Sequence, residues 1–346
     1  MGIRATPIEP AEKTEMNRFR ASDCRLVIVN ACLVLCALSF DARFCVADEG
    51  LREVIGRLAE NEKLYENLDV KWEEEYSLKE FFAHNENDVP QSDILEGHSV
   101  EQDGLFKLLV QGEIVGPLSK PDVTKRYFLK GFDGEATRVL EWNRSYVGKV
   151  FTGPKYGGGD PLFCPHTLSL RSFSELPLSV YCSGKEAIAA HPKVTKVVMQ
   201  STGWNLRSRL DGREMIDGML CDKVTVERIK NEKGEVGGQR VLWLDIERNM
   251  LPIRVHAFNF TYSKDQPTHE CHLEDLRELE PGVWFPFKAT VSGYDDVSLL
   301  EQKKSVLLWT REYVVKSASL KPDYETEFFS DVIFPEGTQV HKVNGE

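Results

Sequence analysis

The chain has 346 residues, with 43 Lys and Arg against 55 Asp and Glu and a formal charge of -12. Hydrophobic residues make up 41% and aromatics 10%, enough apolar surface to exclude disorder as the main state. The acidic balance, without any Lys/Arg cluster, excludes nucleic acid as a partner, and the absence of a glycine period or a sustained heptad excludes a fibre.

Read from the start, the one long apolar run is Leu26 to Phe40. A membrane-spanning helix needs about 20 such residues, so the run is short for a span. Arg18, Arg20 and Arg25 precede it, and Cys45-Val46-Ala47 puts small residues where a cleavage site before Asp48 wants them. Together these predict a secretory signal peptide over 1–47, with Met16 as a candidate internal start. An uncleaved N-terminal anchor is the alternative. The protein is expected in the periplasm or secreted. Cys24, Cys32, Cys36 and Cys45 leave with the signal, and Cys164, Cys182, Cys221 and Cys271 remain. An oxidising compartment favours disulfides, and Cys164 with Cys182, which bracket one short segment, is the expected pair. Four small buried thiols are the competing reading.

The remaining chain, 48–346, reads as a single domain. Leu51, Val54, Ile55 and Leu58 form one stripe of a period-3.6 helix. Leu68, Val70, Trp72, Glu74, Tyr76 and Leu78 then alternate with polar neighbours, predicting a half-buried antiparallel strand that only Glu74 interrupts. Asp103-Gly104 and Asp133-Gly134 separate apolar-aromatic runs and predict hairpin turns. Lys155 to Pro165 is a Gly/Pro loop, and 166–192 reads as helical or irregular. Strands are expected again at Val194–Gln200, Lys223–Ile229, Arg240–Leu244, Ile253–Tyr262, His269–Leu279, Trp284–Tyr294 and Ser305–Val315.

Several later strands are apolar on both faces. Val241 and Trp243 oppose Leu242 and Leu244, and Leu308 opposes Leu307 and Trp309. Such strands must be covered twice, either by the helices at 50–62 and 166–192 or by a bound apolar ligand. Catalytic signals are missing: the sequence has no His-Glu-x-x-His helix and no Gly-x-Ser-x-Gly elbow. His269-Glu270-Cys271-His272 is the densest set of potential metal ligands. On a strand His269 and Cys271 share a face while His272 points away, and no second Cys/His pair completes a closed zinc site. Neither metal nor cofactor is expected, and the chain gives no positive reason to call it an enzyme.

Three stretches together carry a resemblance. Asp217-Gly218-Met219-Leu220-Cys221-Asp222-Lys223-Val224 is followed by Val241-Leu242-Trp243-Leu244-Asp245 and then by Leu251-Pro252-Ile253-Arg254-Val255. This succession resembles the outer-membrane lipoprotein carriers and sorting proteins, the LolA/LolB-like superfamily. Phe132-Asp133-Gly134 with Arg138-Val139-Leu140, and the ending Phe334-Pro335-Glu336-Gly337-Thr338-Gln339-Val340, are similar to parts of the same family. The resemblance implies a mainly β (α+β) fold: an antiparallel unclosed half-barrel of about eleven strands with helices across the concave face. The insert around 155–193 has no counterpart in the carriers.

The function expected from this is an exported cell-envelope binding protein whose apolar groove holds a lipid, an acyl group or a lipoprotein, as a carrier would. Trp72, Val241, Trp243, Val255, Phe258, Leu308 and Trp309, on the doubly covered strands, are the candidate lining residues; the bland reading of each is a core position. The alternative is a non-catalytic structural or sensing module of the envelope that binds a protein partner through the same fold.

Overall fold

The computed structural model describes residues 49–79, 92–115, 123–143, 145–152, 163–168, 176–190 and 205–343. The expected signal peptide and the strand expected at Val194–Gln200 lie outside these. Among the described residues no helix is long and apolar enough to cross a membrane.

The expected amphipathic helix forms as α1 (49–62), with Leu51, Val54 and Leu58 buried along one stripe. A short 3-10 turn, Lys63–Tyr65, leads into β1 (Leu68–Leu78). The meander continues through β2 (Ser92–Gln102), β3 (Leu105–Val115), β4 (Val123–Phe132), β5 (Ala136–Asn143) and β6 (Ser145–Thr152). Two short helices follow, α2 (Leu178–Ser183) and α3 (Lys185–Ala190). A second run holds β7 (Leu206–Ile216), β8 (Met219–Ile229), β9 (Val236–Asp245), β10 (Pro252–Asn259), β11 (His269–Glu280), β12 (Val283–Tyr294) and β13 (Leu307–Ser319). The chain closes with α4 (Thr326–Ser330) and β14 (Gln339–Val343).

Among the described residues fourteen strands join one open sheet, in the order β14-β6-β5-β4-β3-β2-β1-β13-β12-β11-β10-β9-β8-β7. The count corrects the expected eleven. Every neighbouring pair is antiparallel except β14 with β6, which is parallel. β7 escaped the sequence reading because its side chains alternate between exposed and half-exposed and only Ile216 is buried, so no apolar period marks it. Asp103-Gly104 turns β2 into β3 with both residues at positive φ (52° and 80°), the geometry of a tight hairpin. At Asp133-Gly134 only the glycine is left-handed, and Asp133 Oδ1 accepts the amides of Glu135 and Ala136. This is an Asx-type turn.

Register separates the two faces. Val224, Leu242, Val255, Cys271, Val291, Arg311 and Tyr76 lie in one cross-strand row, and residues directly opposite each other share a face. Alternation puts Trp72, Glu74, Asp222 and Leu244 on it too. α1 lies on this face, because its Arg57 pairs with Asp222. So does the segment 163–168, whose Phe163 ring packs 5.0 Å from that of Trp72 and whose amide donates to Ser99 Oγ. The opposite face of β3–β6 has its own cover. Leu129 and Leu140 form a second, smaller core with Val332 and Phe334 of the C-terminal segment, and Lys107 Nζ donates to the Phe328 carbonyl of α4.

Glu74, the one break in the alternation of β1, is buried as its position demands and pairs with Arg311 of β13 at 2.9 Å. The indole of Trp72 lies flat over its cross-strand partner Gly97, and that of Trp309 over Gly293. A Cβ at Gly97 would sit 2.1 Å from the Trp72 ring. Gly97→Ala is therefore expected to lower stability by about 1–3 kcal/mol, the usual range for overpacking; urea unfolding measures it, and an unchanged midpoint would contradict the contact.

Candidate functional site

Between the α1 face of the sheet and the end of α1 lies a cavity of about 530 Å³. Tyr65, Phe163 and Leu176 give it an apolar wall, and Glu62, Lys130 and Glu101 give it a charged one. Such a volume falls within the range of about 300–1,000 Å³ typical of small-molecule sites. The wall is built by local necessity. Tyr65 ends the 3-10 turn after α1 and is buried, with its ring 5.3 Å from His166 and 6.2 Å from Phe285. Phe163 sits between Trp72 and Phe285, whose ring is 5.9 Å away.

Glu62 fixes the roof. Its carboxylate accepts the backbone amides of Leu178 and Ser179 and the Ser179 hydroxyl, satisfying amides at the start of α2 that have no partner within their own helix. Burial raises the Glu62 carboxyl above the usual range, against the lowering effect of these hydrogen bonds. Lys130 is almost fully buried beside the cavity, with its Nζ 5.5 Å from the centre of the Phe106 ring.

Below this roof a polar node ties the elements together. Asn249, itself at positive φ (55°), accepts the Trp284 amide at 2.6 Å and donates to the Asn61 side chain and the Gly282 carbonyl. Its carbonyl lies 2.8 Å from His166 Nε2. His166 is fully buried and, among the described residues, its Nδ1 has no hydrogen-bond partner, so the arrangement fits a neutral ring with the proton on Nε2.

The seven candidate lining residues do not converge. Trp72, Val255 and Trp309 lie on the α1 face, whereas the register puts Val241, Trp243, Phe258 and Leu308 on the other. None of the seven lines the cavity. Trp72, Val241, Trp243 and Val255 all belong to the main buried core, and Phe258 and Trp309 pack against it. The signal missed was Phe163, one aromatic in a Gly/Pro loop with no period to announce it. On the opposite face Trp243 is buried at 7% exposure, with its indole N–H donating to Glu214 and Lys223 Nζ 5.1 Å from its ring. The second apolar face of β9 is therefore covered by long polar side chains of neighbouring strands.

Cys164 and Cys182 are free thiols, as are Cys221 and Cys271, which corrects the expected pairing. The Cys164 sulfur is engaged by its own turn, with the His166 amide and the Thr167 hydroxyl, and Cys182 packs on the buried face of α2 as a small apolar group. Burial pushes the Cys164 thiol up to about 11 and Cys271 to about 12, so neither is a reactive thiolate near neutrality.

On the face opposite α1, His256 of β10 stands directly across from Glu270 of β11, with His272 two residues further along. Their ligand atoms all lie within 4.8 Å of one another. The dense His269–His272 stretch thus divides as alternation predicted, but Glu270 and His272 find their companion in His256. The β10–β11 register that brings it there was not read from the sequence.

A scan against protein-family models finds no match, and no curated protein matches either. Solved structures do. A domain assigned by its description to the outer membrane lipoprotein-sorting proteins of Vibrio parahaemolyticus is 13% identical, with a TM-score of 0.43 over 82% of this chain and 97% of that one. A DUF1329 family protein from Desulfovibrio piger is 14% identical, with a TM-score of 0.40 over 81% and 96%. A LolA superfamily protein from Nitrosomonas europaea is 12% identical, with a TM-score of 0.36 over 80% and 96%. At these scores the fold and the site stand on the chain's own geometry.

Proposed function

We propose that the chain is an exported cell-envelope binding protein that takes the acyl chain of a lipid or lipoprotein into the cavity beneath α1 and hands it on as a carrier does. The cavity is the observation that carries this reading. Its Tyr65, Phe163 and Leu176 wall suits methylene groups, each worth ~0.8 kcal/mol on burial. The apolar run from Leu26 to Phe40, with its basic flank, supports export, and the protein is placed in the periplasm or outside the cell on that ground. The reading is one of binding without catalysis.

The test is a titration of delipidated protein with a fluorescent fatty acid. Saturable binding is expected, and Ala59→Trp, which adds an indole to the cavity wall, is expected to weaken it at least about tenfold, or 1.4 kcal/mol. If no lipid co-purifies and the probe gains no fluorescence, the acyl-carrier reading fails. The solid packing of Phe163 on Trp72 would then favour an envelope module that binds a protein partner.

A further inference from the structure

His256, Glu270 and His272 stand on the sheet face opposite α1, so they belong to neither the cavity nor the core beneath it. His256 Nε2 lies 3.6 Å from Glu270 Oε1, and His272 Nε2 lies 4.0 Å from Glu270 Oε2. Both imidazoles thus turn the same nitrogen toward one carboxylate. In a tetrahedral site with metal–nitrogen distances of about 2.0–2.1 Å, neighbouring ligand atoms are roughly 3.3 Å apart. All three ligand atoms lie within 4.8 Å of one another, close enough for small side-chain adjustments to bring them to that geometry. From these contacts we propose that the three residues form a binding site for a divalent transition cation of the zinc class, with a fourth position open to water.

The surroundings fit that use. All three side chains are half-buried, between 22% and 35% exposed, which leaves an entry path while holding their rotamers. Tyr294 donates its hydroxyl to Glu270 Oε2 at 2.8 Å. That outer-shell bond orients the carboxylate and leaves Oε1 toward His256. The Trp243 indole stands edge-on to His256, with ring centres 4.9 Å apart, and closes one side. Two cations act on His256, Arg254 and Lys223, and each is already matched: Arg254 to Asp217 at 2.8 Å and Lys223 to Glu214 at 3.0 Å. Two imidazoles and one carboxylate are the donor set that zinc accepts while keeping an open position, whereas magnesium and calcium prefer oxygen alone. The ligands come from two adjacent strands of a continuous sheet, so the site is held by the β10–β11 ladder and not by a loop.

The experiment uses the purified full chain, stripped with a chelator and titrated with Co²⁺ and then Zn²⁺ near neutral pH. Expected are one Co²⁺ per chain, the strong visible absorption of tetrahedral cobalt, quenching of Trp243 fluorescence, and displacement of Co²⁺ by Zn²⁺. His256→Ala and His272→Ala should each weaken binding by at least about 100-fold, and Tyr294→Phe by about 10-fold, the smaller loss fitting an outer-shell partner. The four thiols of the described chain are buried or half-buried, so they do not compete in the folded protein. Should an alanine variant fail to fold, the imidazole nitrogen resonances of the intact protein supply the answer, since Zn²⁺ should shift those of His256 and His272 first. The proposal is overturned if no cation binds, if binding survives the H256A/H272A double variant unchanged, or if other histidines shift instead. None of these outcomes depends on whether the cavity takes an acyl chain.

Discussion

Arg311→Met is expected to lower stability by about 3–5 kcal/mol, the usual cost of removing one partner of a buried ion pair. Arg311 and Glu74 have side chains only 15% and 8% exposed, and they meet at 2.9 Å across the β1–β13 seam. The guanidinium also lies 5.2 Å from the centre of the Tyr76 ring. Methionine keeps much of the aliphatic bulk but leaves the Glu74 carboxylate in the core without its guanidinium. Removing that guanidinium takes the matching charge from a buried carboxylate, whereas the paired variant E74M/R311M removes both charges together and should recover most of the stability. Urea or thermal unfolding of the two single variants and the double variant closes the cycle. If R311M unfolds like the parent, the pair is as weak as a surface ion pair and the seam is held by its backbone ladder alone.

That pair also shows what a sequence can and cannot disclose. The strand Leu68–Leu78 was legible from its alternation, and Glu74 was visible as an anomaly inside it. The reason for the anomaly sits on β13, over two hundred residues away, and no local pattern points there. α1 was equally legible, because Leu51, Val54 and Leu58 carry a period. β7 was not legible, since Arg207, Arg209 and Arg213 decorate an edge strand with charge, a known protection of edges that erases the apolar signal. The double apolar character of β9 was read correctly as double burial. The pattern leaves open whether helices or a bound apolar ligand supply the cover; in the structure Glu214 and Lys223 meet Trp243 on the face opposite α1.

The candidate site was less legible than the fold for the same reason. Cavity walls are made by residues that share no period. Tyr65 comes from a 3-10 turn, Phe163 from a Gly/Pro loop and Leu176 from the approach to α2, and only the folded backbone brings them together. His256 with Glu270 and His272 is an intermediate case. A hairpin folded symmetrically about residue 263 pairs 256 with 270 and 254 with 272, as observed. Counting that register across the Tyr262–Gln266 turn would have found the cluster.

The stability of the protein is expected to fall by roughly 3 kcal/mol between pH 6.5 and pH 4 through His166 alone. Burial lowers this imidazole to about 4, with the Asn249 carbonyl working weakly the other way; in the unfolded chain it titrates near 6.5. Between those values the unfolded state binds the proton and the folded state refuses it, so acid draws the chain toward unfolding. Above pH 6.5 both states are neutral and the contribution is fully present. Below pH 4 both are protonated and the loss is complete. The consequence is local before it is global, because His166 holds the segment 163–168 to the Asn249 node, and that segment carries Phe163 of the cavity wall. Carboxylates titrate in the same window, so the measurement is a difference: unfolding free energies of the parent and of His166→Gln at intervals from about pH 7.5 to about pH 4, a range that takes in both pKa values. The variant should be less stable at the upper end and the gap should close as pH falls. A gap that stays constant would mean that His166 becomes charged in place and finds a partner for its Nδ1, and the cavity wall would then keep its form in acid.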